Sequence, residues 1–187
     1  MATHHAVQGV LGALADHLQE RLEPLLQPGC VQVLGSQDLA QGPQHNQLGI
    51  YLYRIGVDPF SRSANGTPPG RSEGAGSAGA DLAVTLHVLL LGWSPDSVAE
   101  MSQLAAAMQV LGHGITLGSE VMASRDPGWE SEETIQVIPE EMNNETLLRL
   151  WNTLPGPHRL SVPYLIRNLR LHAVDCQPST TSFLNMG

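Results

Sequence analysis

Val7, Val10, Leu11, Leu14, Leu18 and Leu22 recur every three or four positions, with His17, Gln19, Glu20 and Arg21 mostly between them. That period places the apolar side chains on one stripe of a helix. It predicts a helix from His5 to Leu22, ended by Pro24 and Pro28. Cys30 to Leu34 then reads as a short strand, and Gln47 to Val57 (QLGIYLYRIGV) as a longer one, apolar on both alternations. The strongest strand is Leu82 to Trp93, LAVTLHVLLLGW. One alternation runs Leu82, Val84, Leu86, Val88, Leu90, and the other Ala83, Thr85, His87, Leu89, Leu91. A strand apolar on both sides is a central strand covered on both sides.

Ser94-Pro95-Asp96 opens the next helix, with Ser94 as N-cap, Pro95 in the first turn and Asp96 near the positive end. Val98, Met101, Leu104, Met108 and Leu111 form its predicted buried stripe, and Gly112 and Gly114 end it. Thr134 to Ile138 reads as a short strand. Asn143 caps a further helix, with Met142 stapled on Leu147, and Leu147, Leu150, Trp151 and Leu154 form its apolar face.

A Pro155-Gly156-Pro157 corner leads into a long last strand that contains Pro163. Proline lacks a ladder donor, so this strand is expected at a proline-guarded edge near an assembly surface. Leu160, Val162, Tyr164 and Ile166 share one face, but the next apolar positions are Leu169 and Leu171. The phase switch predicts a bulge near Arg167-Asn168.

The element order implies an α+β domain: a mostly antiparallel mixed sheet packed against about three helices. Three helices cover one face of a sheet more readily than both, so some of the second apolar face is expected to be buried by another subunit. The whole chain, 1–187, reads as one domain with a flexible Gly/Ser/Pro-rich loop at 58–80 and a short tail at 174–187.

Nine arginines, no lysine and eighteen acidic residues give a net charge of −9. A polyanion partner needs a basic stripe that releases counterions, so nucleic-acid binding is disfavoured. The N-terminal stretch has no basic start and is broken by Asp16 and Glu20, so it does not read as a signal peptide. The longest apolar run, Val88 to Leu91, is too short for membrane insertion. The expected location on synthesis is the cytoplasm, with Cys30 and Cys176 as isolated thiols.

Catalytic signals are weak. His4, His5, His87, His113, His158 and His172 show no zinc-site spacing, and His87 reads as a core histidine bonded to backbone. No nucleophile elbow, P-loop or dinucleotide fingerprint occurs. Glu140-Glu141 and the acidic run Glu130, Glu132, Glu133 read as solvated charge, and Trp151 as core before binding anchor. The residues nominate no catalytic, cofactor or metal site, and no cofactor.

Three stretches then fit together. They are LGIYLYRIGVDPFSRSA, LAVTLHVLLLGWSPD followed by LAAAMQVLGHGITL, and ETLLRLWNTLPGPHRLSVPYLIRNLRL. Together they resemble the tail-terminator, or cap, proteins of phage-tail-like contractile injection systems such as the Photorhabdus virulence cassette and the antifeeding prophage. The resemblance spans about residues 5–172. It departs at His158, where an aromatic is usual, at Pro163, where a small residue is commoner, and at Gly112 and Gly114.

The resemblance implies a phage tail-terminator-like fold and a non-enzymatic ring, six-fold in the family, on the distal end of inner tube and sheath. Its partners are then copies of itself, the inner tube protein and the sheath protein, within an assembled injection particle. A tube grows by heterologous contacts until something blocks its end. Tyr53, Arg54, Pro163, Arg167, Arg170 and Phe183 are the candidate interface residues, with solvated edge charge as the alternative for Arg167 and Arg170. Another structural adaptor of the same particle, or a small hydrolase, is the competing function.

Overall fold

The structure is a computed structural model. It describes residues 5–23, 29–57, 82–123, 125, 129 and 134–171. The loop at 58–80 and the tail at 174–187, with Phe183 and Cys176, lie outside the described residues. In chain order the elements are α1 (Ala6–Leu22), β1 (Val31–Leu34), α2 (Ser36–Gln41), β2 (Gln47–Val57), β3 (Leu82–Trp93) and α3 (Ser97–Leu111). Then come β4 (Ile115–Leu117), α4 (Ser119–Ala123), β5 (Ile135–Pro139), α5 (Asn144–Thr153) and β6 (Ser161–Leu171). The strands form one six-stranded sheet in the order β1-β2-β3-β6-β5-β4. β1 runs parallel to β2, and the other neighbouring pairs are antiparallel. The α+β class and mostly antiparallel sheet match the pattern in the sequence. The sequence pattern does not predict the short elements α2, β4 and α4, because three to six residues repeat a period too few times to show a face.

Val10, Leu14, Leu18 and Leu22 of α1 are fully buried, as their spacing requires. Asn143 caps α5 through its side-chain oxygen, which accepts from the Thr146 N–H at 2.7 Å. The cap of α3 is Asp96 rather than Ser94: its carboxylate accepts from the N–H groups of Val98 and Ala99. Ser94 is instead buried and donates to Asn46 Oδ1 at 2.6 Å.

The predicted stripe of α3 is also corrected. Val98, Met101 and Met108 are exposed, at 67%, 55% and 43%, while Gln103, Leu104, Ala107 and Leu111 face inward. SVAEMSQLAAAMQVL is apolar nearly all round, so its periodicity does not select a face. At its first turn the helix crosses close to β3. A Cβ on Gly92 would lie 2.6 Å from the Glu100 carbonyl oxygen, so only glycine fits there.

Both sheet faces are covered from within the chain. On the first face, α1 and α3 pack over Leu48, Ile50, Leu86, Val88, Tyr164 and Ile166. On the second, α2 and α5 pack over Tyr51, Leu89, Leu91 and Trp93 through Leu39 and Trp151. Trp151 holds this layer by donating from its indole N–H to Ser161 Oγ at 2.9 Å. The part of the second face under α2 and α5 is thus buried by the chain itself rather than by another subunit. The helix formed by Leu147, Leu150, Trp151 and Leu154 turns to the opposite side of the sheet from α1.

β6 is not an edge strand. It lies between β3 and β5, which overturns the edge expected from Pro163. Pro163 pairs with Leu89, and its carbonyl accepts from the Glu140 N–H at 3.0 Å. In an antiparallel strand a residue's nitrogen points the same way as its carbonyl. The missing donor of Pro163 thus faces β5 just past its last residue, Pro139, where the ladder runs out.

Candidate functional site

Each of the two strands that flank β3 contains a bulge. In β2, the register shifts between the pairs Leu52–Val88 and Arg54–His87, leaving Tyr53 as the extra residue. Leu48, Ile50 and Leu52 point to the first face. Strict alternation would send Arg54 after them; the bulge places it on the second face with His87. In β6, the register shifts between Leu86–Ile166 and Val84–Leu169, so Arg167 and Asn168 together stand opposite Thr85. Asn168 has φ 69°, and this is the bulge predicted from the sequence. It returns Leu169, fully buried, to the first face and leaves Arg167 and Arg170 together on the second.

The helices of the second face stop short of this region. Beyond Leu89 the face opens into a groove of about 610 Å³, lined by Gly56, Thr85, His87, Leu165, Arg167 and Arg170 among others. A neighbouring hollow of about 260 Å³ is lined by Tyr53, Arg54, Glu140, Glu141, Asn143 and Thr146 among others. Between them sits a half-buried polar trio. The Tyr53 hydroxyl donates to Glu140 Oε2 at 2.6 Å, and His87 Nδ1 lies 3.0 Å from Glu140 Oε1. The Tyr53 and His87 rings meet edge-on, with centroids 5.8 Å apart.

Burial, and then the adjacent Glu140 carboxylate, push the Tyr53 phenol well above its usual range, so it stays a protonated donor. His87 is thus a partner of a carboxylate rather than of backbone, which corrects the core-histidine expectation. The trio ties the end of β5 to β2 and β3. It is a latch: among the described residues, no hydroxyl or thiol nucleophile is bonded to His87. Among the described residues, no group of three or more His, Cys, Asp or Glu is placed to hold a metal ion. Cys30 is a free, buried thiol that donates to Gln19 Oε1 at 3.5 Å, and its burial raises its pKa.

Of the residues singled out as interface candidates, Tyr53 and Arg54 line the smaller hollow and Arg167 and Arg170 the larger groove. The fold thus brings these side chains together from strands far apart in sequence. Pro163 is buried on the same face, paired with Leu89 under the α5 layer, and is not available for contact. Phe183 lies outside the described residues. His87 and Glu140 escape a reading of the sequence as site residues. Their proximity depends on the register Arg54–His87 and on where β5 ends.

Among the described residues, no helix is long and apolar enough to cross a membrane. The fold is similar to that of the sheath/tube terminator, in its extended state, of PVC, an extracellular contractile injection system. That likeness has 21% identity and a TM-score of 0.55, and covers 94% of this chain and 59% of the other. The tube-terminating cap of the anti-feeding prophage aligns at 19% identity over 95% of this chain and 59% of the other, with a TM-score of 0.47. The chain therefore spans 59% of the length of both proteins. No curated protein matches the sequence. Residues 9–179 match the family described as the Pvc16 N-terminal domain, and the chain belongs to that family.

Proposed function

We propose that the chain acts as a structural cap, a tail terminator, of a contractile injection system. It forms a ring on the distal end of the inner tube and sheath, ends their polymerisation and so fixes particle length. The observation that carries this reading is membership of the Pvc16 N-terminal domain family across residues 9–179. The fold shared with the PVC sheath/tube terminator over 94% of the chain supports it.

The partners in this reading are copies of the chain in a hexameric ring, the inner tube protein and the sheath protein. The particle is of the extracellular type, and the chain's role is binding rather than catalysis. Physical chemistry fits the task. A growing tube repeats one heterologous contact, and a terminator ends it by matching the last subunits while presenting a surface the next subunit cannot use. Helix-covered sheet on one half and open, charged sheet on the other supply two such unlike surfaces.

Particles assembled without the protein test this. Electron microscopy is expected to show tubes and sheaths of broadly scattered length with ragged ends, restored to one length on adding the protein back. A narrow, normal length distribution in its absence would overturn the reading.

A further inference from the structure

The open half of the second face is basic in a chain that is otherwise acidic. Arg167 and Arg170 line its groove and Arg54 the adjoining hollow; all three are exposed and make no ion pair among the described residues. Three other arginines are engaged, Arg125 with Asp16, Arg149 with Glu145, and Arg159 over the Trp93 ring and to the Ser94 carbonyl, whereas Arg21 on α1, like the three, makes no ion pair among the described residues. Arg54 shares its hollow with the carboxylates of Glu140 and Glu141, while Glu140 also holds Tyr53 and His87 with its two oxygens. The grouping is built into the backbone. Without the β2 bulge Arg54 would point to the first face, and without the β6 bulge Arg170 would do so. Bulges beside functional sites re-aim side chains in this way.

We propose that this groove receives the acidic surface of a second copy of the chain, in a head-to-tail contact. Charge complementarity selects the occupant. Each copy carries −9, with eighteen acidic residues against nine basic ones, so another copy is itself an acidic partner. Guanidinium groups hold carboxylates in paired, directional hydrogen bonds. The geometry of the contact follows from the same charges. With a two-fold axis through the groove it would meet its own image, arginine against arginine, and like charges would oppose. The groove therefore meets a different acidic face, and repeated head to tail, as the ring reading requires, such a heterologous contact closes into a ring or runs on as a filament. This deepens the ring reading and rests on it for the claim that copies meet. A polyanionic nucleic acid also carries anions, but the chain's overall charge repels it.

The test is self-association of the purified full chain, followed by sedimentation velocity at about 50 mM and about 500 mM salt, where screening shortens the reach of exposed charges. The variants are Arg54→Glu/Arg167→Glu/Arg170→Glu, the milder set with glutamine at all three positions, and Arg149→Glu as a control outside the groove. Circular dichroism checks that each folds, and the glutamine set and the salt series stand if the reversal does not. Wild type is expected to associate at low salt and weaken at high salt. The triple variants lose at least about 10-fold in association constant, the sum of several exposed charge pairs. Arg149→Glu stays within about twofold of wild type.

A wild type that is monomeric in low salt overturns both the ring reading and this contact. Rings indifferent to salt and to the triple variants overturn the contact alone. A triple variant that melts earlier but associates normally shows the arginines serving their own chain, and also overturns it. So does tight binding of a 20-nucleotide thymidine strand that the same substitutions abolish.

Discussion

Asn168 is the non-glycine residue of the described chain that holds a left-handed φ, 69°, and the β6 bulge turns on it. Replacing it with valine sets two costs against each other. If the bulge holds, valine occupies a conformation that costs an ordinary L-residue roughly 1–2 kcal/mol, and β-branching makes it worse. If the strand instead slips by one residue to regain regular alternation, Leu169 leaves the core and Arg170 enters it. Leu169 is fully buried, so its exposure costs about 2 kcal/mol, and the buried guanidinium adds several more. Slipping is the dearer route, so the bulge persists and the variant carries the strain. Asn168→Val is expected to lose about 1–2 kcal/mol, which for a chain of this size lowers Tm by roughly 2–8 °C. Asn168→Gly relieves the strain but loosens the unfolded chain, and stays within about 1 kcal/mol of wild type.

The assay is urea unfolding followed by tryptophan fluorescence, with Leu169→Ala made in both backgrounds. In wild type that truncation costs roughly 2–5 kcal/mol. The same cost in the Asn168→Val background shows Leu169 still buried and the bulge intact. If Leu169→Ala costs almost nothing there, the strand has slipped and the balance of costs drawn above is wrong. An Asn168→Val protein as stable as wild type would refute the strain itself.

Other substitutions test other parts of the structure. Trp151→Phe removes the N–H that bonds Ser161 at 2.9 Å and is expected to cost about 1–3 kcal/mol in thermal unfolding; no change would show that the α5 layer holds without it. The Gln103 amide oxygen is buried without a hydrogen-bond partner among the described residues, so Gln103→Met is expected to raise stability by about 1 kcal/mol, and a loss would reveal a partner there. Tyr53 has a raised folded pKa, so its contribution to stability is complete below about pH 10 and is lost as pH rises through the higher folded value. The unfolded chain releases that proton first. With no lysine in the chain, tyrosine and cysteine are the side chains that titrate in this window, and Tyr53→Phe is expected to flatten the alkaline fall in Tm. An unchanged alkaline slope would refute the link to Tyr53.

The legible parts of this fold are those where one alternation or one stripe is apolar and the other is not. α1, the cap of α5 and the phase switch in β6 all follow from the order of residues. The β2 bulge carries the same signal: Leu48, Ile50 and Leu52 give way to Ile55 and Val57, one position out of phase. It is harder to see because Tyr51 and Tyr53 make the other alternation look apolar too. α3 fails for a related reason: apolar residues surround it, and only packing against the sheet decides that Leu104 goes in and Met101 out. The place of Pro163 could not be read from β6 alone, since whether its nitrogen meets a partner depends on where β5 stops. The meeting of Tyr53, His87 and Glu140 is likewise a product of register.

The core explains why positions 54, 167 and 170 point away from the first face, but not why they are arginine. Burying Leu169 forces Arg170 outward, and the bulge at Tyr53 turns Arg54 to the second face. Any soluble residue would satisfy those demands. Of the chain's charged side chains nine are basic and eighteen acidic, so three charged positions chosen independently would all be basic about once in 27. Carboxylates there would leave the core untouched, whereas three unpaired guanidinium groups on one face repel one another. The repulsion is relieved when an anionic surface approaches, and the sign of the charge thus has its cause outside the fold. The packing fixes where the groove lies; the arginines fix what it can hold.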